Sequence, residues 1–324
     1  MTLRQGWNSV LHAGIATFMG APLLEKVEEA ELRKRNIKAG IIGIPFDSTT
    51  ITRTGSTMGP RAIRDASCNF LSYHADYEID IFEKLNLHDC GDSAVLPGNG
   101  EVTVENGARV VSEILKAGAI PVIMGGEHLV TVAGTMAVDR TLKGKYGFIM
   151  FDCHFDTAMD VGGEKWSHCC PVTRTVEFDA FPTENVVIIG PRGAMNPKEE
   201  LEFIKKNNIT YFSMHQILDI GIEKVVNQAL EIATRGTQGF YLSIDMDSLE
   251  GAYTPGTCAP TPFGITAREL ISVLPKFGLN DKLIAFDVVE IAPQYDPSGI
   301  TAITATYLIV ELLATKATLQ HPCS

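Results

Sequence analysis

Tyr146-Gly147-Phe148-Ile149-Met150-Phe151-Asp152-Cys153-His154-Phe155-Asp156 joins an apolar run to a string of polar, ligand-type side chains. A strand that is apolar throughout is buried on both faces, which points to a mostly parallel sheet between layers of helices. Beyond Phe151, alternate residues of an extended chain point to one side, so Asp152, His154 and Asp156 can converge. The pattern recurs downstream, where the apolar residues 239–244 end in Asp245-Met246-Asp247. It has an upstream counterpart in residues 120–124, followed by Gly125-Gly126 and then His128.

Carboxylates at strand ends often serve only as loop caps, and a lone Asp-x-His-x-Asp run is modest evidence of more. Three strand ends carrying such residues shift the balance. Carboxylates crowded together repel one another and stay ionised only with cations between them. Four aspartates and two histidines, His128, Asp152, His154, Asp156, Asp245 and Asp247, suit a pair of divalent ions. They also stand at the carboxyl ends of strands, where parallel α/β folds keep their catalytic groups.

Working outward, strands are expected at 39–44, 120–124, 146–151, 185–189, 209–213, 239–244 and 283–289. Helices are expected at 104–116, 129–142, 198–207, 222–235, 267–274 and 300–316. Without a linker or repeat, this alternation reads as one α/β domain over residues 36–324, preceded by a lead-in at 1–35 with a charged helical patch. Residues 48–60 and 253–264 lack periodicity and follow strands, so both are expected to be loops walling the same site.

The net charge of −12, without a basic cluster, argues against nucleic-acid binding and is compatible with a small cationic substrate. The apolar stretch 300–314 is too short for a membrane span and carries Thr residues and Glu311. The N-terminus lacks the features of a signal peptide, and the seven scattered cysteines fit reduced thiols, so the expected location is the cytoplasm.

Gly125-Gly126-Glu127-His128, Asp152-Cys153-His154-Phe155-Asp156, Ser243-Ile244-Asp245-Met246-Asp247 and Asp287-Val288-Val289-Glu290 resemble, in this order, the signatures of the ureohydrolases. That family includes arginase, agmatinase and other guanidino-compound hydrolases. The loop from Arg53 to Pro60 with Ala62-Ile63-Arg64, the segment Pro255-Gly256-Thr257, and Asp296 with Thr301-Ala302 extend the resemblance over roughly residues 40–315. It implies a three-layer α/β/α fold in trimers or hexamers. It also implies a pair of metal ions, one held by His128, Asp152, Asp156 and Asp245, the other by Asp152, His154, Asp245 and Asp247. Glu290 matches the carboxylate that receives the guanidinium, and His168 the histidine that shuttles a proton. The reaction implied is hydrolysis of a guanidino C–N bond to urea, or a substituted urea, and an amine. Manganese is the family's usual metal, and nickel is an alternative compatible with the nitrogen ligands.

Several positions depart from the family pattern. Glu127 replaces Asp, Cys169-Cys170-Pro171 follows His168 in place of Gly and a small residue, Glu250-Gly251 replaces Asp-Pro, and Cys258 replaces Gly. The thiols near the site are expected to pack rather than to bind metal. The loop 157–167 lacks the pattern with which arginases hold an amino-acid head group, which leaves agmatine, a guanidino acid, free guanidine, or a substituted guanidine or biguanide such as metformin. In this reading Trp166 stacks on a flat cation or packs as a loop aromatic. Two competing readings are a non-catalytic subunit in a hetero-oligomer with an active paralogue, and a single-zinc deacetylase of related fold.

Overall fold

The computed structural model describes residues 14–319. In chain order its strands are β1 (Ala39–Ile44), β2 (Tyr73–His74), β3 (Ile79–Asp80), β4 (His88–Asp92), β5 (Ile120–Gly125), β6 (Tyr146–Phe151), β7 (Val186–Ile189), β8 (Thr210–Phe212), β9 (Gly239–Asp245) and β10 (Leu283–Val289). Strands β2 and β3 form a small antiparallel hairpin. The other eight make one sheet in the order β4-β1-β5-β10-β9-β6-β7-β8, and every neighbouring pair in it is parallel.

Alternate residues of each strand feed separate cores on the two faces of this sheet. Ile149, Phe151, Leu242, Ile244, Phe286 and Val288 pack into one. Phe148, Met150, Tyr241, Ala285 and Val289 pack into the other. Both faces are therefore dry, which explains the absence of polar alternation along the central strands. The expected α/β/α architecture is the observed one.

The expected helices form within a few residues of their predicted ends, for example Gly100–Lys116 and Ile300–Thr318. The latter is long and apolar enough by composition to cross a membrane, yet most of it is buried against the core. Its Glu311 is buried too, bonded by the Tyr77 hydroxyl and 3.4 Å from His74 Nε2.

Two readings of the sequence are corrected. Strand β4, His-Asp-Cys-Gly-Asp, was not expected because its composition is polar. Arg64 makes it a strand by taking both Asp89 oxygens at 2.9 and 3.0 Å and Asp92 at 2.7 Å. The loop expected over 48–60 ends earlier, since a helix runs from Gly59 to Ser67 with Pro60 in its first turn, where a missing N–H costs nothing. Part of the lead-in also joins the core. Phe18 is buried, and its backbone N–H donates to Asp89 Oδ2 at 2.8 Å.

Candidate metal centre

The four central strands, β5, β10, β9 and β6, end level with one another. Val288 is in register with Met124, Val289 with Asp245, and Phe151 with Ile244. The chain leaving each of them supplies His128, Glu290, Asp245 with Asp247, and Asp152 through Asp156. Gly126 makes the first of these exits possible. It lies directly against the Phe46 backbone, where a Cβ would collide, and its N–H donates to Ile44 at 2.9 Å. That turn aims His128 across the end of the sheet.

His128 Nδ1 faces three carboxylate oxygens, Asp152 Oδ2 at 2.9 Å, Asp156 Oδ2 at 3.0 Å and Asp245 Oδ2 at 3.1 Å. Its other nitrogen fixes the tautomer. The Ser243 hydroxyl donates to Asp287 Oδ1 at 2.7 Å, so it accepts from His128 Nε2 at 3.0 Å. Tyr241 holds the second Asp287 oxygen at 2.7 Å. With Nε2 directed at Ser243, Nδ1 is left facing the three carboxylates; against burial they raise the His128 pKa well above its ordinary value, and a divalent ion there would take the place of the Nδ1 proton. His128 Nδ1 and Asp152 Oδ2 are buried face to face at 2.9 Å. A divalent ion between them would answer the buried carboxylates.

A second nest adjoins the first. His154 Nδ1 lies 3.3 Å from Asp152 Oδ1 and 3.2 Å from Asp247 Oδ2. Asp152 thus offers one oxygen to each nest. Backbone N–H groups orient the acids, His154 N on Asp152 at 2.6 Å and Asp247 N on Asp245 at 2.7 Å. Donors about 3 Å apart are the spacing expected around an ion with bonds of about 2.1 Å. The four aspartates also carry the charge that two divalent ions would balance. The residues present fit a metal pair.

Without ions, the electrostatics are strained. Burial, reinforced by Asp247 and Asp152, drives Asp245 well above the usual carboxylate range, and burial with Asp152 brings Asp156 up to about 6. Burial opposes the ionisation of Asp247 as well, but His154 and the Cys153 N–H carry it below the usual range. The backbone is strained too, with φ of 52° at Asp156 and 67° at Glu290. Such conformations collect at functional sites because the surroundings must hold them in place.

Glu290 and His168 stand beside this cluster. Glu290 Oε1 accepts the His128 backbone N–H at 2.7 Å and lies 3.3 Å from His168 Nδ1, while its buried Oε2 has no partner. Burial disfavours a charged His168, yet Cys169 and Glu290 outweigh it and raise its pKa. The Ile51 N–H, 3.2 Å from His168 Nε2, works the other way and favours a neutral ring with the proton on Nδ1.

Glu127 does not touch the His128 ring. Its longer side chain reaches the loop instead, accepting from Thr49 N at 2.9 Å, from the Thr49 hydroxyl, and from Thr50 Oγ1 at 3.0 Å. Thr49 Oγ1 in turn receives the His168 backbone N–H at 3.0 Å. Glu127 therefore positions His168 through Thr49. Its burial raises its pKa to about 7, against the pull of the Thr49 hydroxyl.

The loops expected to wall the site do meet over it. Thr52 Oγ1 donates to the Cys258 carbonyl at 3.0 Å, and Arg53 donates to Pro255 and Thr257 while stacking on Tyr295 at 4.2 Å. Between them lies a cavity of about 130 Å³, lined by metal-centre acids and by Ile51, His168, Cys169, Met195, Glu200, Cys258 and Glu290. Cys169 thus replaces a hydrogen with a side chain at the cavity wall. Burial raises the pKa of the Cys153 and Cys258 thiols, and Cys153 Sγ lies with Asp152, His154 and Asp247 in one of the two groups able to hold an ion. Trp166 packs against the second core and is not among the lining residues, so it takes the packing role rather than a stacking one.

Residues 37–315 match the family model described as the arginase family. Proclavaminate amidinohydrolase of Streptomyces clavuligerus is 30% identical over 93% of each chain. Its structure superposes with a TM-score of 0.84 over 95% of this chain and 99% of that one. An agmatinase of Enterobacter sp. (strain 638) is 33% identical over 86% of this chain and 87% of its own. The structure of agmatine ureohydrolase from Thermoplasma volcanium, 28% identical, gives a TM-score of 0.79 over 92% of this chain and 97% of that one.

Proposed function

Because the chain belongs to the arginase family of hydrolases acting on amidino C–N bonds, we propose that it hydrolyses a small guanidino compound to urea, or a substituted urea, and an amine. The observation that carries the reading is His128 Nδ1 facing three carboxylate oxygens at 2.9–3.1 Å. In this reading His128, Asp152, Asp156 and Asp245 hold one divalent ion, and Asp152, His154, Asp245 and Asp247 hold the other. When bound, such a pair supplies a water-derived nucleophile at neutral pH and balances the charge of the acids. The oxygen-rich donor set suits manganese, with nickel as the alternative.

The remaining chemistry belongs to the chain. A guanidinium is flat, cationic and resonance-stabilised, so its carbon resists attack until it is oriented and desolvated. Glu290 supplies the complementary charge through its unpartnered Oε2 and holds the group over the acids. Water's oxygen bonds to the central carbon, which becomes tetrahedral, and one C–N bond then breaks. Attack by water releases a proton, which His168, beside Glu290, is placed to take up and pass to the leaving nitrogen as the C–N bond breaks. Ser243, Asp287 and Tyr241 keep His128 in the tautomer the site requires. The loops bearing Thr52 and Cys258 meet over the cavity and reduce its contact with bulk water, which strengthens each of these interactions.

The test is to express the protein with manganese or nickel, count the bound ions, and assay urea and amine release. The panel is agmatine, guanidinobutyrate, guanidine, arginine and metformin. Two ions per chain and turnover of at least one compound are expected. A fully metallated protein inert toward every guanidine would defeat the proposal.

A further inference from the structure

The aperiodic loop after β1 carries the run Thr49-Thr50-Ile51-Thr52, and in the fold each of these residues makes a specific bond. The run begins from a buried charge. Glu127 is 0% exposed, and its backbone N–H is held by the Phe46 carbonyl at 2.7 Å, so its carboxylate projects from the rigid end of the sheet. Among the described residues no lysine or arginine pairs with it. Donors from the run answer it instead, the Thr49 N–H at 2.9 Å, the Thr49 hydroxyl, and the Thr50 hydroxyl at 3.0 Å. A buried carboxylate without partners is costly, and hydrogen bonds to a charged acceptor are stronger than neutral ones. Glu127 therefore imposes order on the run.

The run in turn holds His168 at two points. Thr49 Oγ1 gives its proton to Glu127 and offers a lone pair to the His168 backbone N–H, 3.0 Å away. Two residues on, the Ile51 N–H meets the ring at Nε2, 3.2 Å away. Backbone and ring are fixed together, which sets Nδ1 3.3 Å from Glu290 Oε1. Thr52 then ties the run across to the Cys258 carbonyl at 3.0 Å. Ile51 and Thr52 line the cavity, whereas Thr49 and Glu127 do not. Any influence of Thr49 on the reaction must therefore pass through His168.

We propose that Thr49 is a positioning residue, whose hydroxyl, held by Glu127, seats His168 against Glu290 and so sets turnover without contributing to the binding of guanidine or metal. The proposal rests on the reaction proposed above and assigns a role in it to a side chain outside the cavity. What the position requires is a group that donates on one side and accepts on the other. Serine offers both functions, while valine has the shape of threonine and offers neither.

Thr49→Val and Thr49→Ser, each loaded with metal to the level of the unaltered protein, test it. On a guanidine that the unaltered protein turns over, Thr49→Val should lower kcat about 30-fold with KM changed less than about twofold, the signature of a misplaced proton carrier. Thr49→Ser should keep kcat within about threefold of the original. Crystal structures give a readout independent of turnover: the His168 ring should part from Glu290 in Thr49→Val and stay beside it in Thr49→Ser. Glu127→Asp, with an arm one methylene shorter, should repeat the valine result, and it decides the matter if Thr49→Val fails to fold. An unmoved ring or an undiminished kcat in the folded variants would overturn the proposal, as would an equal loss in serine and valine or a loss carried by KM. If the ring moves as expected but the unaltered protein hydrolyses no guanidine, the positioning stands and the proposed reaction fails.

Discussion

Two clusters of buried charge lie on one sheet, and they are built in opposite ways. At β4, Arg64 answers Asp89 with two bonds and Asp92 with a third, while the Phe18 and Gly91 N–H groups take up further Asp89 lone pairs. That cluster is complete within the chain. At the ends of β5, β6 and β9, three carboxylates converge on the single nitrogen His128 Nδ1 and no arginine or lysine answers them among the described residues. The first cluster holds the fold together. The second gathers four carboxylates around two histidines, the arrangement that the proposed metal pair would balance.

Breaking the two clusters should have opposite consequences. Asp152→Asn removes the acid shared by both nests and forfeits several kcal/mol of catalytic stabilisation, a loss of about 10³-fold in kcat. The fold should survive, because one repelling charge is gone; urea release and thermal melting of the same preparation check both points. Arg64→Ala should do the reverse. Leaving Asp89 buried and unpaired costs about 3–5 kcal/mol, readable by denaturant unfolding, whereas the metal centre itself is not touched.

Removing the ions sharpens the contrast through pH. Asp156 and Asp245 have folded pKa values above the ordinary 3.8, and His128 and His154 lie above theirs of 6.5. Each group therefore gives stability that is complete below its unfolded pKa and is lost as pH rises through the folded one. Chelated protein should lose stability from about pH 4 upward, on the order of 3 kcal/mol for Asp156 alone. Asp247, shifted downward, opposes this only in more acidic solution. Metal should restore the loss, most at high pH where the ligands are deprotonated. Melting curves with and without chelator at pH 5 and pH 8 decide it; a metal-free protein more stable at pH 8 would contradict the account.

The smallest effect is expected one step back from the ions. Tyr241→Phe deletes the 2.7 Å bond to Asp287 and loosens the Ser243 link to His128. It should weaken metal affinity by about 10-fold, measured by competition with a chelator, while the melting temperature of the chelated protein changes little.

The contrast also explains what the sequence could reveal. The six proposed ligands were legible because each stands at or just beyond the carboxyl end of an apolar strand, and the strand ends lie side by side in the sheet. Strand β4 was not legible, since only Arg64, 25 residues upstream, makes a polar pentapeptide tolerable in a sheet. Glu200, which lines the cavity, escaped notice for the same reason. Lys-Glu-Glu at a helix start reads as a solvated turn, and only the fold places Thr157 and the cavity beside it. Glu127 was visible as an oddity, but its purpose lay with Thr49, 78 residues away. Local periodicity reports what a residue's own element does with it, and partners supplied by distant elements leave no local trace.

Counting ions tests the central claim most directly. Native mass spectrometry of protein expressed with manganese or nickel should show two divalent ions per chain, falling when Asp152 is replaced by asparagine. A protein that binds no ion, or holds a single zinc that Asp152→Asn leaves in place, would contradict the paired site and the hydrolysis built upon it.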